Sequence, residues 1–182
     1  MSDRPRIEPL PEEEWDETLR GVLGAAPGGE DERPVNVFTT LARHPKLFRD
    51  WIRLGARLLA ASSFSPRERE LAILRTAHNC SSEYEWAQHV EIGRAAGLSD
   101  DEIAAVRLPL DEHAWEEGER LVLEAADELH VSATLSDATW SRLAQRFDEQ
   151  QLIELPMLVG HYTMLAYALN ALGVRVEDGR AG

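Results

Sequence analysis

Apolar residues recur at three- and four-residue intervals through most of the chain, and this periodicity restricts the fold more than any other feature. Leu47, Trp51, Leu54, Leu58 and Leu59 form one such stripe, and Leu121, Val122, Ala125, Ala126 and Leu129 form another. Ser65-Pro66-Arg67-Glu68 and Ser99-Asp100-Asp101-Glu102 read as capping boxes, in which the serine takes a backbone N–H and the glutamate reaches back. Ser136 is a further N-cap, and Gly97 and Gly173 stand where a left-handed residue would close a helix. Sustained period-two alternation is missing, and no Asn-Gly or Asp-Gly hairpin separates apolar runs. The pattern predicts an all-α chain of about eight helices. They fall around Trp15–Leu23, Val37–Ala42, Leu47–Leu59, Ser65–Asn79, Ser82–Ala96, Ser99–Val106, His113–His130 and Ser136–Phe147, and over a last apolar stretch from Gln150 to Leu172. Pro156 is expected to start, kink or split that last helix.

With 182 residues the chain has room for one domain with a genuine core. Residues 1–34, rich in Pro, Gly and acids, read as an N-terminal extension with one short helix and a mobile connector at 26–34. Residues 35–176 read as the main domain, and 177–182 as a flexible tail. The 33 acidic against 19 basic residues give a formal net charge of −14, which opposes nucleic acid and anionic membranes as partners. No membrane-spanning run and no signal peptide are expected, which points to the cytoplasm. The lone Cys80 can form neither an internal disulfide nor a cysteine metal site.

Candidate chemistry concentrates between Ser65 and Val106. Glu85 and His89 are four apart on the helix from Ser82, so they neighbour each other on its apolar Trp86–Val90 side. Glu70, on the preceding helix, shares a face with Leu71, Ile73, Leu74 and Ala77. A short connection suits an antiparallel pair, which would bring Glu70 towards Glu85 and His89. Two carboxylates and an imidazole in a partly apolar pocket are equipped for acid–base work. Plainer roles exist for each: Glu85 completing a capping box with Ser82, His89 satisfied in the core by Glu85, and Glu70 paired with Arg67 or Arg75.

The same segment resembles the carboxymuconolactone decarboxylase family, which includes the alkylhydroperoxidase D-like proteins. The residues that carry the resemblance are Arg69-Glu70-Leu71-Ala72-Ile73-Leu74, Glu83-Tyr84-Glu85-Trp86 with His89, and Ala96-Gly97-Leu98-Ser99. Asn36-Val37-Phe38, His44-Pro45 and His161-Tyr162-Thr163-Met164-Leu165 add to it. The resemblance implies an all-α fold built around a helical pair, assembled as a dimer, trimer or hexamer. Peroxidase members carry C-x-x-C with a histidine four residues after the second cysteine and a glutamate upstream. Here those positions hold Ser82, Glu85, His89 and Glu70, so both cysteines are replaced.

The resemblance therefore implies the decarboxylase-like branch: a cofactor-independent acid–base enzyme for a small organic acid or lactone. Glu70, Glu85 and His89 are its candidate catalytic residues, and Ser82, Tyr84, Trp86, His161 and Tyr162 its candidate substrate contacts. No metal is implied, and Arg67, Arg75 or Arg94 would have to meet an anionic substrate. The alternatives are peroxide reduction by Cys80 with an external thiol, and a non-catalytic helical oligomer that binds a small molecule. Broad stripes at Leu54, Leu58 and Leu59 and at Leu158, Val159, Tyr162, Leu165 and Leu169 predict a homo-oligomer.

Overall fold

The structure is a computed structural model, and it describes residues 4–25 and 35–177; the connector at 26–34 and residues 178–182 lie outside the described residues. Nine α-helices and no strands run through the described residues. They are α1 (Glu17–Ala25), α2 (Asn36–Leu41), α3 (Pro45–Ala60), α4 (Pro66–Asn79), α5 (Glu83–Ala95), α6 (Asp100–Ala105), α7 (Glu117–Ser132), α8 (Asp137–Arg146) and α9 (Glu149–Leu172).

The helices begin where backbone N–H groups find acceptors. Both expected capping boxes close, at Ser65–Glu68 and Ser99–Glu102, and Asp148 and Gln151 form a third that opens α9. Helix α7 starts later than expected, because the Glu116 N–H donates to Glu119 while His113 stays extended and packs its ring on Trp115. Helix α9 continues through Pro156 and ends at Gly173, whose φ of +67° is left-handed.

Helix α4 is the hub. Glu70, Leu71, Ala72, Ile73, Leu74, Thr76 and Ala77 are all buried, because α5, α7 and α9 surround it. Two arginines tie it down: Arg75 grips Asp127 of α7 bidentately at 2.7 and 2.8 Å, and Arg67 bridges Glu102 and Glu119 at 2.6 and 2.9 Å. A smaller core of Leu19, Ala42 and Phe48 seats α1 against α2 and α3.

Helix α9 corrects two expectations. Leu155 to Val174 contains no Asp, Glu, Lys or Arg, so the run does reach the length of a membrane span. By length and composition α9 is apolar enough to cross a membrane, yet Leu155, Leu158, Val159, Tyr162, Leu165, Ala166 and Leu169 line the core, as on the inner face of a bundle helix. Leu158, Val159, Tyr162, Leu165 and Leu169 are thus not a surface stripe, and Leu58 is buried as well. The exposed apolar face of α9 is Ile153, Met157, Met164 and Tyr167, at 51–68% exposure.

Glu177, expected to begin a flexible tail, is buried. It accepts the Asn36 N–H at 2.6 Å, the Tyr84 hydroxyl at 2.7 Å and the Gln88 amide at 2.6 Å, strapping the C-terminal segment onto α2 and α5.

Candidate active site

The connection from α4 to α5 has only three residues, Cys80, Ser81 and Ser82, with Ser81 left-handed at φ +51°. Helix α5 packs along α4, where a Cβ at Gly93 would meet Leu74 Cδ1 at an ordinary 3.5 Å; the tight approach at Gly93, 3.1 Å, is to Leu98 Cδ1 just beyond α5. The packing of α5 along α4 brings His89 to Glu70. His89 Nδ1 lies 2.6 Å from Glu70 Oε2, and Arg69 Nε donates to Glu70 Oε1 at 2.8 Å. Glu70 is wholly buried and His89 nearly so. Burial pushes the Glu70 carboxyl upward, but the His89 ring and the Arg69 guanidinium outweigh it and hold it below the ordinary range. An ionised carboxylate only accepts, so the His89 proton facing it sits on Nδ1, and Nε2 is the nitrogen left for chemistry.

Glu85 is just as deep, at 2% exposure, and neither of its oxygens has a hydrogen-bond partner. The Ser82 hydroxyl, 1% exposed, also lacks one. Burial drives the Glu85 carboxyl well above its ordinary value, and nearby Ser82 draws it back in part. The first turn of a helix favours a negative charge by roughly 0.3–1 kcal/mol. Stranding an ion in the core costs several, so burial favours the neutral form of Glu85.

Of the plainer roles, the structure removes the capping one and keeps the other two with different partners: His89 is a buried histidine satisfied by a carboxylate, and Glu70 is paired with a neighbouring arginine. Ser82 occupies the N-cap position of α5 without capping it, so Glu85 completes no capping box. The expected Glu85–His89 contact does not form either; the histidine is held by Glu70 instead. Glu70 pairs with neither Arg67 nor Arg75, but with Arg69. Sequence reasoning missed Arg69 because adjacent residues on a helix point about 100° apart; only a long side chain folding back can join them.

The remaining candidates divide. The Tyr162 ring stands edge-on to His89 with centroids 4.9 Å apart, and its phenol is pushed well up by burial first and then by Glu70 and Glu85. His161 stands edge-on to Tyr162 at 5.3 Å and stacks on Trp51 at 6.0 Å; burial lowers its proton affinity, and its Nδ1 is unpartnered. Tyr84 is turned to the Val37 N–H and Glu177, and the Trp86 ring lies under the Arg107 guanidinium, 3.8 Å from its centroid. The three arginines considered for an anion are engaged elsewhere. Arg94 pairs with Glu91 and Asp100, Arg75 with Asp127, and hydrogen bonding to Arg67 draws Glu102 down to about 2. Among the described residues, no three His, Cys, Asp or Glu side chains are placed to hold a metal ion together.

A helical bundle with a glutamate on one helix and a histidine on the next, joined by a tight turn, has the alkylhydroperoxidase D-like fold. The model of the Carboxymuconolactone decarboxylase family matches residues 45–128, a little under half of the chain. Solved structures agree on the fold. The alkylhydroperoxidase core of a peroxidase-related protein from Ralstonia eutropha superposes with a TM-score of 0.85 at 19% identity, covering 99% of this chain and 96% of that one. A peroxidase-related protein from Silicibacter gives 0.79 at 17% identity, covering 100% and 93%. A debrominase in complex with 2,3,4-tribromopyrrole gives 0.73 at 18% identity, covering 99% and 96%. No curated protein sequence matches the chain.

Proposed function

We propose that the protein is a cofactor-independent acid–base enzyme resembling the branch of this family that lacks the C-x-x-C pair, lyase-like, acting on a small organic acid or lactone. The observation that carries this reading is two buried carboxyls in opposite environments: Glu70 bonded to His89 and Arg69, which lower its proton affinity, and Glu85 with no charged partner, so that burial raises its own. Environments that separate two titratable groups in this way assign the basic and the acidic role. Glu70 orients His89, whose Nε2 takes a proton from carbon or returns one. When a C–H or C–CO2⁻ bond breaks, its electron pair passes into an adjacent carbonyl, and Glu85 donates to the oxygen where charge grows.

The test is incubation with lactones and lactone acids in deuterated water, followed by NMR for deuterium entering at carbon or for loss of carbon dioxide. Turnover that disappears in His89→Asn and in Glu85→Gln is expected. Turnover unchanged in both ends the proposal.

Thiol-dependent peroxide reduction is the second reading, because Cys80 Sγ lies 3.8 Å from His130 Nδ1 and within the electrostatic reach of Glu85. Burial pushes that thiol up, the Thr163 hydroxyl draws it back in part, and Glu85 adds to the rise. A reactive cysteine needs the opposite environment. Alkylating Cys80 with iodoacetamide is therefore expected to leave carbon-substrate turnover unchanged, whereas alkylation that abolished hydroperoxide consumption would favour the thiol.

The proposed working form is a homo-oligomer in the cytoplasm with a small molecule as its ligand. Support comes from the α9 face, where Ile153, Met157, Met164 and Tyr167 line up at three- to seven-residue steps on a helix that carries only Glu149 and Glu154 as charges. In so acidic a chain this is a surface where two copies meet without like-charge repulsion. Light scattering is expected to show a dimer, trimer or hexamer, and Met164→Glu to shift it towards monomer. A wild-type monomer at micromolar concentration would dispose of the assembly.

A further inference from the structure

We propose that Ser82 and Glu85 form a two-donor site for an uncharged carbonyl oxygen, so that the substrate group seated on this pair is a ketone, ester or lactone carbonyl and not a carboxylate. The inference rests on the acid–base reading and narrows its substrate class. Three buried oxygens lie within one turn of α5, Ser82 Oγ and both Glu85 oxygens; the hydroxyl draws on the carboxyl beside it, but no well-formed hydrogen bond satisfies any of the three. Buried polar atoms are satisfied in roughly nine cases out of ten, and each exception costs about 1–3 kcal/mol. A cluster of three is therefore unsatisfied for a reason, and the local one, capping of α5, is excluded because the Ser82 side chain makes no cap bond.

The chemistry of the pair selects its ligand. A serine hydroxyl and a protonated carboxyl each bring one O–H, and a carbonyl oxygen has two lone pairs to receive them. A carboxylate would need a cation, and the five considered for the site among the described residues are already committed. Arg69 and His89 are held by Glu70, and Arg67, Arg75 and Arg94 by other carboxylates. The buried Tyr162 ring, edge-on to His89 and within electrostatic reach of Glu85, suits an apolar or aromatic body.

The experiment compares acetophenone with benzoate, which have nearly the same shape and differ in charge, by titration calorimetry on the full chain. Acetophenone is expected to bind at least ten times more tightly than benzoate. Ser82→Ala and Glu85→Met should each weaken it several-fold, while Glu85→Gln, which keeps a donor, retains most of it. With carbonyl-labelled acetophenone, the bound C=O stretch should move to lower frequency and move back in Glu85→Met, a readout that a merely packing role would leave alone. Equal or tighter binding of benzoate, binding of neither probe, or a C=O stretch indifferent to Glu85→Met overturns the inference. Failure of the acid–base reading is separable. In that case His89→Asn leaves turnover intact, while acetophenone binding still depends on Glu85.

Discussion

Replacing Glu70 by alanine is expected to lower stability by about 3–5 kcal/mol, the cost of breaking a buried ion pair from one side. The substitution strands two groups at once, the His89 Nδ1–H and the Arg69 Nε, and leaves a space inside the most buried helix of the bundle. Urea unfolding followed by circular dichroism measures it. A loss under 1 kcal/mol would mean that solvent or a rearranged Arg69 replaces the carboxylate, and the pair would no longer count as the rigid support of His89. The sign of the pH effect follows from the depressed carboxyl of Glu70. Its contribution is present above the ordinary carboxylate range, where the unfolded chain is ionised too, and is lost as pH falls through the lower folded-state value. Acid unfolding should accordingly begin at higher pH in Glu70→Gln than in the wild type.

Glu85→Met should act in the opposite direction. Removing an unpartnered buried carboxyl and filling its volume with an apolar chain is expected to raise stability by about 1–3 kcal/mol while abolishing turnover. The wild type carries the matching pH signature. Between the ordinary carboxylate range and the raised value of Glu85, the folded state holds a proton that the unfolded state has released, so stability declines as pH rises. The methionine variant should lose that decline. Thermal midpoints measured across this range decide the matter: a variant less stable than the wild type at neutral pH would mean that Glu85 is satisfied after all.

Most of the helices were legible in the sequence because their start signals are local. The Ser65 and Ser99 boxes need only four residues each to be recognised, and both close as read. The start of α7 was misread because nothing in His113 to Trp115 forbids a helix; only the Glu116–Glu119 contact and the packing of His113 on Trp115 set the boundary. At the site, the residue types and their inward direction were readable from the apolar periodicity around Glu70, Glu85 and His89. Their pairing was not. Spacing of four made Glu85 the natural partner of His89, whereas the packing of α5 along α4 gave that place to Glu70. The faces of α9 were interchanged for a similar reason. Its residues are apolar all round, so periodicity does not distinguish the core side, Leu158 to Leu169, from the exposed side, Met157 to Tyr167.

The three-residue turn before α5 has a consequence for how such a chain can change in length. Each residue of a helix advances it by about 100°, so one residue added to or deleted from Cys80–Ser82 would rotate all of α5 against α4. His89 would leave Glu70, and Tyr84 and Gln88 would leave Glu177. Insertions and deletions should therefore be purged from this turn. A functional library of length variants would show a sharp gap at Cys80–Ser82.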